Sequence, residues 1–347
     1  MRKSKTIFFL LIAMSVCIFG FRYHPVPGPK QKLSDYNFFV GKLSDLKPAN
    51  GVIPYDLNTP LFSNYAEKLR FIKMPEGTKA NYTENGSLEF PIGTVVIKNF
   101  YYPNDFRDTG KGRKILETRL LINEETGWVA YPYVWNDEQT DAEYDGAGDI
   151  KNISYINESG KEIKIHYIIP NKNQCKGCHL SYDKMVLIGP TAAQLNSDFA
   201  YASGQQNQLQ YLHQHDLISG LPGLEKISKL PDWDDASQPI ENRARAYLDV
   251  NCGNCHNPNG PANTSGLFLN YHQSNSVELG IMKSPVAAGR GAGKNLFDIV
   301  PGKPHKSILT YRMKINDPGV AMPELGREQI HKEGVELISK WIKEMKQ

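Results

Sequence analysis

The pattern Cys-x-x-Cys-His occurs twice in this 347-residue sequence, at positions 175–179 and 252–256. Outside an apolar run near the N-terminus, the two motifs use every cysteine of the chain. The same spacing is the attachment signal for c-type haem, in which both thiols bond to the porphyrin and the adjoining imidazole ligates the iron. The sequence therefore predicts two haem c groups. The predicted covalent attachment points are Cys175, Cys178, Cys252 and Cys255, and the predicted proximal iron ligands are His179 and His256.

Other uses of paired cysteines must be weighed against haem. Zinc sites also accept Cys-x-x-Cys pairs, but they do not require a histidine directly after the second cysteine. The 73 residues between Cys178 and Cys252 also exceed the usual zinc-finger spacing. A thioredoxin-like dithiol needs a βαβ setting that the sequence does not show, and two structural disulfides are the plain alternative for an exported chain. The repeated histidine favours haem over these three alternatives.

A six-coordinate haem iron needs a second axial ligand from elsewhere in the chain. Met322 is the candidate for the second motif, because it lies in an irregular Gly- and Pro-bounded segment before the last predicted helix, and a thioether stabilises ferrous iron. Met313 is less suited, since it lies on a predicted helix. For the first motif the sequence leaves several ligands open, as well as a five-coordinate iron. The candidates are His213, His215 and Met185, with His166 and Met74 as weaker ones.

The N-terminal segment predicts export from the cytoplasm. Arg2, Lys3 and Lys5 precede an apolar run at 7–21, which is the pattern of a signal peptide. A cleaved signal, an uncleaved membrane anchor and a lipoprotein modified at Cys17 are all open, although no clean cleavage site and only a poor lipobox follow. We expect a periplasmic protein, with residues 1–22 as signal peptide or membrane tether.

Charge does not identify a partner. The formal net charge is only +3, and the basic residues are dispersed rather than clustered. This distribution lacks the electrostatic footprint of a nucleic-acid-binding protein. We therefore expect redox proteins rather than nucleic acid as partners.

Periodicity predicts strands in the first half of the chain and helices in the second. β-Branched and aromatic runs predict strands at 90–100, 114–122, 127–135 and 161–169. Helical spacing predicts helices at 190–201, 205–217, 242–251 and 329–346, with shorter ones at 33–39 and 303–313. Aromatic side chains are numerous in the β region, where they either fill the core or form a binding face.

The chain resembles bacterial periplasmic dihaem c-type cytochromes of uncharacterised role. The likeness rests on Tyr-Asp-Leu-Asn-Thr-Pro-Leu-Phe-Ser at 55–63, Phe-Pro-Ile-Gly-Thr at 90–94, Glu-Thr-Arg-Leu-Leu at 117–121, Tyr-Val-Trp-Asn at 133–136, and 170–179. The last third is similar to a class I cytochrome c domain through 252–256, Ile-Val-Pro-Gly at 299–302 and Asp-Pro-Gly-Val-Ala-Met-Pro at 317–323. This resemblance implies His256 and Met322 as an axial pair.

We therefore expect an α+β multidomain protein. Its expected parts are a mainly antiparallel β domain at 33–170, a helical first haem-binding segment at 171–240, and an all-α cytochrome c domain at 241–347. The expected function is single-electron transfer between redox partners. Two alternatives are a dihaem peroxidase-like oxidoreductase with an open first haem, and a module that binds glycan or a redox partner and feeds electrons to an oxidative enzyme. No residue is predicted to be catalytic.

Overall fold

The computed structural model describes residues 28–346, so the expected signal or anchor at 1–22 lies outside the described residues. The first nine strands, in chain order, are β1 (Val52–Tyr55), β2 (Glu67–Lys73), β3 (Ala80–Asn81), β4 (Val95–Pro103), β5 (Arg113–Glu124), β6 (Gly127–Trp135), β7 (Ala142–Tyr144), β8 (Asp149–Ile156) and β9 (Glu162–Ile169). Six of them form one antiparallel sheet in the order β1-β2-β4-β5-β6-β7. Strands β8 and β9 form a separate antiparallel hairpin.

Side chains alternate between the two faces of the six-stranded sheet, as the pleat of a β-strand requires. One face carries Phe71, Ile97, Leu120 and Tyr131 in one apolar cluster. The other face, which we call the motif face, carries Ile72, Val96, Leu121 and Ala130 and packs against Cys175 of the first Cys-x-x-Cys-His motif. The sheet therefore provides a rigid support for that motif.

The second half of the described chain mixes short strands and short helices. Its strands are β10 (Leu180–Ser181), β11 (Lys184–Met185), β12 (Asp198–Tyr201), β13 (Gly204–Asn207) and β14 (Ile218–Ser219). Its helices are α1 (Lys172–His179), α2 (Ala192–Leu195), α3 (Gln208–Gln214), α4 (Ile240–Leu248), α5 (Ile308–Met313) and α6 (Lys332–Glu344). The longest of these, α6, has 13 residues. None of the helices within 28–346 has both the length and the apolar character needed to cross a bilayer.

Several sequence predictions of local structure are confirmed. The strand predicted at 127–135 is β6, and the run at 114–122 lies within β5, which continues into β6 through a two-residue turn. The helices predicted at 242–251 and 329–346 correspond to α4 and α6. The helix predicted at 190–201 is wrong, because only four of its residues form α2 and the chain then enters β12.

The expected α+β multidomain architecture with a helical haem-binding segment and an all-α cytochrome c domain is wrong. The described chain is mainly β, and short strands separate the helices of the segment 171–240. Residues 241–346 contain a final helix, but α4, α5 and α6 are separated by long irregular stretches with isolated bridges at Ile281–Ile299 and Phe297–Ser307. Gly and Pro disfavour helix propagation, and they are frequent between 254 and 307.

The β region and the C-terminal region are in direct contact. The Phe62 backbone N–H donates to Asn251 Oδ1 at 3.0 Å, and the Tyr65 hydroxyl donates to Glu333 Oε2 at 2.8 Å. The buried His331 ring stacks on Phe62, with ring centroids 4.1 Å apart. These contacts join the chain before β2 to the turn after α4 and to the start of α6.

Candidate functional site

The first motif is carried by α1, an eight-residue helix with a well-formed N-terminal cap. The Asn171 side chain accepts from the Gln174 backbone N–H at 2.8 Å, and the Gln174 side chain accepts from the Asn171 N–H at 2.9 Å. This reciprocal pair is a capping box, which satisfies two backbone donors that a helix start leaves free. The helix begins at Lys172, three residues before Cys175. Cys175 then faces the sheet and is buried.

The second motif follows α4 directly. The helix passes into a π-helical turn at Asp249–Gly253, and this turn contains Cys252. π-Helical turns are rare and occur frequently at functional sites, because the extra residue redirects the side chains that follow. Asn251 within the turn is the residue that accepts from Phe62 of the β region. The position of Cys252 is therefore fixed by α4, which precedes it, and by the contact of Asn251 with the β region.

The two motifs, remote in sequence, meet in space. The Cys178 and Cys255 thiols are neighbours, and each shifts the pKa of the other. Cys255 Sγ also lies 3.6 Å from the Gly177 carbonyl oxygen, and the Tyr182 N–H donates to the Asn259 carbonyl at 2.9 Å. The second cysteine of each motif is thus at the contact between them.

The imidazole of each motif is oriented by a hydrogen bond at its Nδ1 side. His179 Nδ1–H donates to the Val186 carbonyl at 2.8 Å, and His256 Nδ1 lies 3.4 Å from Ser265 Oγ. For His179 this contact fixes the tautomer and leaves Nε2 as the metal-binding atom, the usual arrangement of a ligating histidine. Burial lowers the pKa of His179 to about 4 and also lowers the pKa of His256. Both are held as neutral imidazoles, the form that binds a metal.

All four motif cysteines are free thiols. Burial raises the pKa of Cys252 to about 12 and raises the pKa of Cys175. The neighbouring Cys255 thiol lowers the pKa of Cys178, in the opposite direction to the shifts of Cys175 and Cys252. A thiolate reacts far faster than a thiol. The contact between the motifs thus activates one of the four thiols.

Met322 lies beside the second motif. It lines a small cavity of about 10 Å³ together with Cys252, Met313, Arg327 and His331. Arg327 holds the segment in place, because its Nη1 donates to the Met322 carbonyl at 2.7 Å and to the Met313 carbonyl at 2.8 Å. The same segment reaches the first motif, where a Cβ built on Gly177 would lie 2.7 Å from Leu325 Cδ1. The segment 322–327 therefore contacts both motifs.

The distal candidates for the first motif lie in different places. His213 and His215 are exposed on α3, which packs on α2, β13 and β14 rather than on α1. His215 Nδ1–H donates to the Tyr211 carbonyl at 2.9 Å. Met185, on β11, pairs with Leu180 directly after the motif and packs against the apolar cluster that includes Cys175. The structure brings Met185, and not the two histidines, to the first motif.

The weaker candidates separate in the same way. Met74 is buried in the apolar cluster that contains Cys175, whereas His166 lies on β9 with its ring against the Asn152 side chain.

Two features near the motifs were not predicted from the sequence. His331 is buried against Tyr247 and Trp233 in the cavity that Cys252 lines. Arg70, Lys98 and Arg119 are directly opposite one another on β2, β4 and β5 and share the motif face. In the sequence, the second feature is visible only as three basic residues within otherwise apolar strands. Detecting it requires the strand register, which the sequence does not state.

The donors match what two haem c groups require. Each motif offers two free thiols and a neutral imidazole, and a methionine lies beside the second. Within 28–346, no three His, Cys, Asp or Glu side chains are grouped as a closed site for a free metal ion would need. A haem iron takes only one or two protein ligands, so this finding leaves the haem prediction untested. No family model, curated protein or solved structure matches this chain.

Proposed function

We propose that this chain is a dihaem c-type cytochrome that passes single electrons between redox proteins. The observation that supports this most strongly is the contact between the two Cys-x-x-Cys-His motifs through Cys178 and Cys255. Two cysteine pairs with separate structural roles would not need to lie in contact. Nor would both adjoining histidines need to be neutral. Two tethered redox groups would need to lie close together, because electron exchange requires proximity.

The protein's residues would tether, ligate and shield the cofactors. A bound haem c supplies one-electron chemistry, and the protein sets its potential through axial ligands, hydrogen bonds and burial. Cys175, Cys178, Cys252 and Cys255 would hold the two groups. His179 and His256 would ligate the irons through Nε2, with Met322 as the second ligand at the second motif. Arg327 would fix the Met322 backbone.

Export and partners belong to the same proposal. Haem c is attached outside the bacterial cytoplasmic membrane, so the signal-like residues 1–22 support a periplasmic location, with or without a membrane tether. The resemblance to periplasmic dihaem cytochromes supports the same location. The electron donor and acceptor would be proteins that dock near the motif contact, without any nucleic acid.

Intact mass and electron paramagnetic resonance test the proposal. The full chain, purified from a host with haem c maturation, should carry two porphyrin mass increments. Its oxidised spectrum should show magnetic interaction between the two irons. A Cys252→Ala/Cys255→Ala variant should keep one increment and lose the interaction. A colourless protein, or one without added mass, would contradict the proposal.

A peroxidase-like oxidoreductase is the second candidate. It is favoured by the exposed positions of His213 and His215, which leave the iron at His179 without a histidine from α3. A high-spin first haem together with peroxide turnover by the reduced protein would support this candidate. Two low-spin haems without turnover would support the relay instead.

The glycan-binding alternative gains no specific support. Most of the aromatic side chains proposed for a binding face are buried in the sheet. These buried residues are Phe71, Phe100, Tyr102, Tyr131, Tyr133 and Trp135.

A further inference from the structure

Three cations stand in a row across the centre of the six-stranded sheet. Arg70 on β2 is opposite Lys98 on β4, and Lys98 is opposite Arg119 on β5. Directly opposite residues on antiparallel strands have their Cβ atoms about 5 Å apart and lie on the same face. Like charges at that spacing destabilise a sheet unless something neutralises them. Lys68, two residues before Arg70, adds a fourth cation to the same face. We call these four residues the cation row.

Carboxylates within the described chain neutralise only half of the cation row. Glu117 is fully buried and is saturated by Arg119 Nε at 2.7 Å, Arg119 Nη2 at 2.6 Å and the Tyr167 hydroxyl at 2.7 Å. Asp56 pairs with Nη1 of Arg70. In residues 28–346, neither Lys98 nor Lys68 has a carboxylate within 4 Å. Burial lowers the pKa of Lys98 well below its usual value and the pKa of Lys68 to about 7, so an anion beside them would favour their charged forms.

Arg70 has hydrogen-bond donors that no group of the described residues uses. Its side chain is 4% exposed, and both Nε and Nη2 are buried without a hydrogen-bond partner in the described chain. A buried polar group without a partner costs about 1–3 kcal/mol, and a charged one costs more. The remaining arginine donors therefore favour an acceptor that is not a side chain of the described residues.

The cation row adjoins the first motif. Each residue of the row on β2, β4 and β5 lies two positions along its strand from a motif-face residue that packs in one apolar cluster with Cys175. Beyond the row, the motif face continues into the apolar cluster of Ile72, Val96 and Cys175. A ligand held by Cys175 and Cys178 would therefore have an apolar surface on one side and unpaired cations on the other.

We propose that the cation row binds the two propionate carboxylates of the haem attached at Cys175 and Cys178, an inference that rests on the proposed function. A haem presents an apolar ring with two carboxylates at one edge, which matches an apolar surface bordered by basic side chains with unused hydrogen-bond donors. Arginine and lysine form strong charge-assisted hydrogen bonds to carboxylates. Arg70 offers two donors without partners, and Lys98 offers an amino group that has no carboxylate partner and lies 4.9 Å from the centre of the Phe100 ring. Arg119 remains paired with Glu117.

Infrared difference spectroscopy can test this contact directly. The full chain is produced in a haem c-maturing host supplied with 5-aminolaevulinate labelled at the carbon that becomes the propionate carboxylate. Redox difference spectra then identify the propionate bands by their isotope shift. Lys98→Met is the test variant, and Lys164→Met on β9, whose side chain is exposed, is the matched control.

Lys98→Met should shift label-sensitive carboxylate bands, and Lys164→Met should not. Loss of a cation also disfavours reduction, so the potential of one haem should fall by about 59 mV, a tenfold change in the equilibrium constant for one electron. Unchanged bands in a protein with two porphyrin increments would overturn this inference alone, even if the potential moved. A changed spin state of the first iron would also overturn it, by making Lys98 an iron ligand. A mass without porphyrin increments would overturn the proposed function as well.

Discussion

At the scale of single residues, the motif cysteines and histidines can be identified from sequence, whereas their distal partners depend on the fold. A Cys-x-x-Cys-His motif places its own proximal ligand next to the attachment points. A distal ligand comes from a segment that only folding brings near. Met322 was a good candidate because it lies in an irregular Gly- and Pro-bounded segment before the last helix, and the structure places it beside Cys252. His213 and His215 fit a helix in sequence but lie on its exposed side.

Met322→Ala should lower the potential of the haem at the second motif and produce a high-spin signal. The reason is that a thioether ligand stabilises ferrous iron. Potentiometric titration and electron paramagnetic resonance would measure the two effects. Met313→Leu, a change in the same cavity, is the control and should leave both unchanged. If Met313→Leu changed the spectrum and Met322→Ala did not, the ligand assignment would be wrong.

At the scale of elements, the strands were more predictable than the helices. β5 and β6 contain long β-branched and aromatic runs that fit few other structures, and the prediction matched them closely. The stretch 190–201 has helical spacing, but its last four residues form β12 and pair with β13. Gly- and Pro-rich chain between α4 and α5 cannot extend either helix, which is why the expected all-α arrangement does not form.

The cap of α1 provides a test at this scale. Asn171→Ala should lower the free energy of unfolding by about 1 kcal/mol, because the Gln174 N–H loses its acceptor. It should also lower the fraction of molecules that carry haem at the first motif, because α1 presents Cys175 and Cys178. Urea unfolding and intact mass would measure these two effects.

Asn207→Ala is the matched control, since Asn207 caps α3 by accepting from the Leu209 and Gln210 N–H groups. It should lower stability by a similar amount and leave haem attachment complete. Equal loss of haem in both variants would mean that general stability, and not the cap of α1, governs attachment.

At the scale of the whole molecule, His331 joins the β region to the C-terminal region. Its ring stacks on Phe62, and its Nδ1 lies 3.0 Å from the Tyr247 hydroxyl. Burial lowers the pKa of His331 to about 4, below the value near 6.5 of an unfolded chain. As the pH falls from about 6.5 to about 4, the unfolded chain takes up a proton that the native chain does not. Stability is therefore lost over that interval.

His331→Phe keeps an aromatic ring and removes the titration. The loss of unfolding free energy between pH 6.5 and 4 should be smaller in the variant, by on the order of 3 kcal/mol. Urea unfolding across this pH range would measure it, with His305→Phe at an exposed position as control. Parallel pH profiles for the wild type and His331→Phe would contradict the assignment.

The proposed attachment of haem would face a competing reaction. Cys178 and Cys255 are 77 positions apart in sequence, yet folding places their thiols side by side, and Cys178 ionises easily. In an oxidising compartment, a chain that folds before it is loaded can be closed by a crosslink between these two sulfurs. That crosslink would consume one sulfur from each attachment site. The proposed haem loading would therefore have to precede folding, or a reductant would have to reopen the bridge.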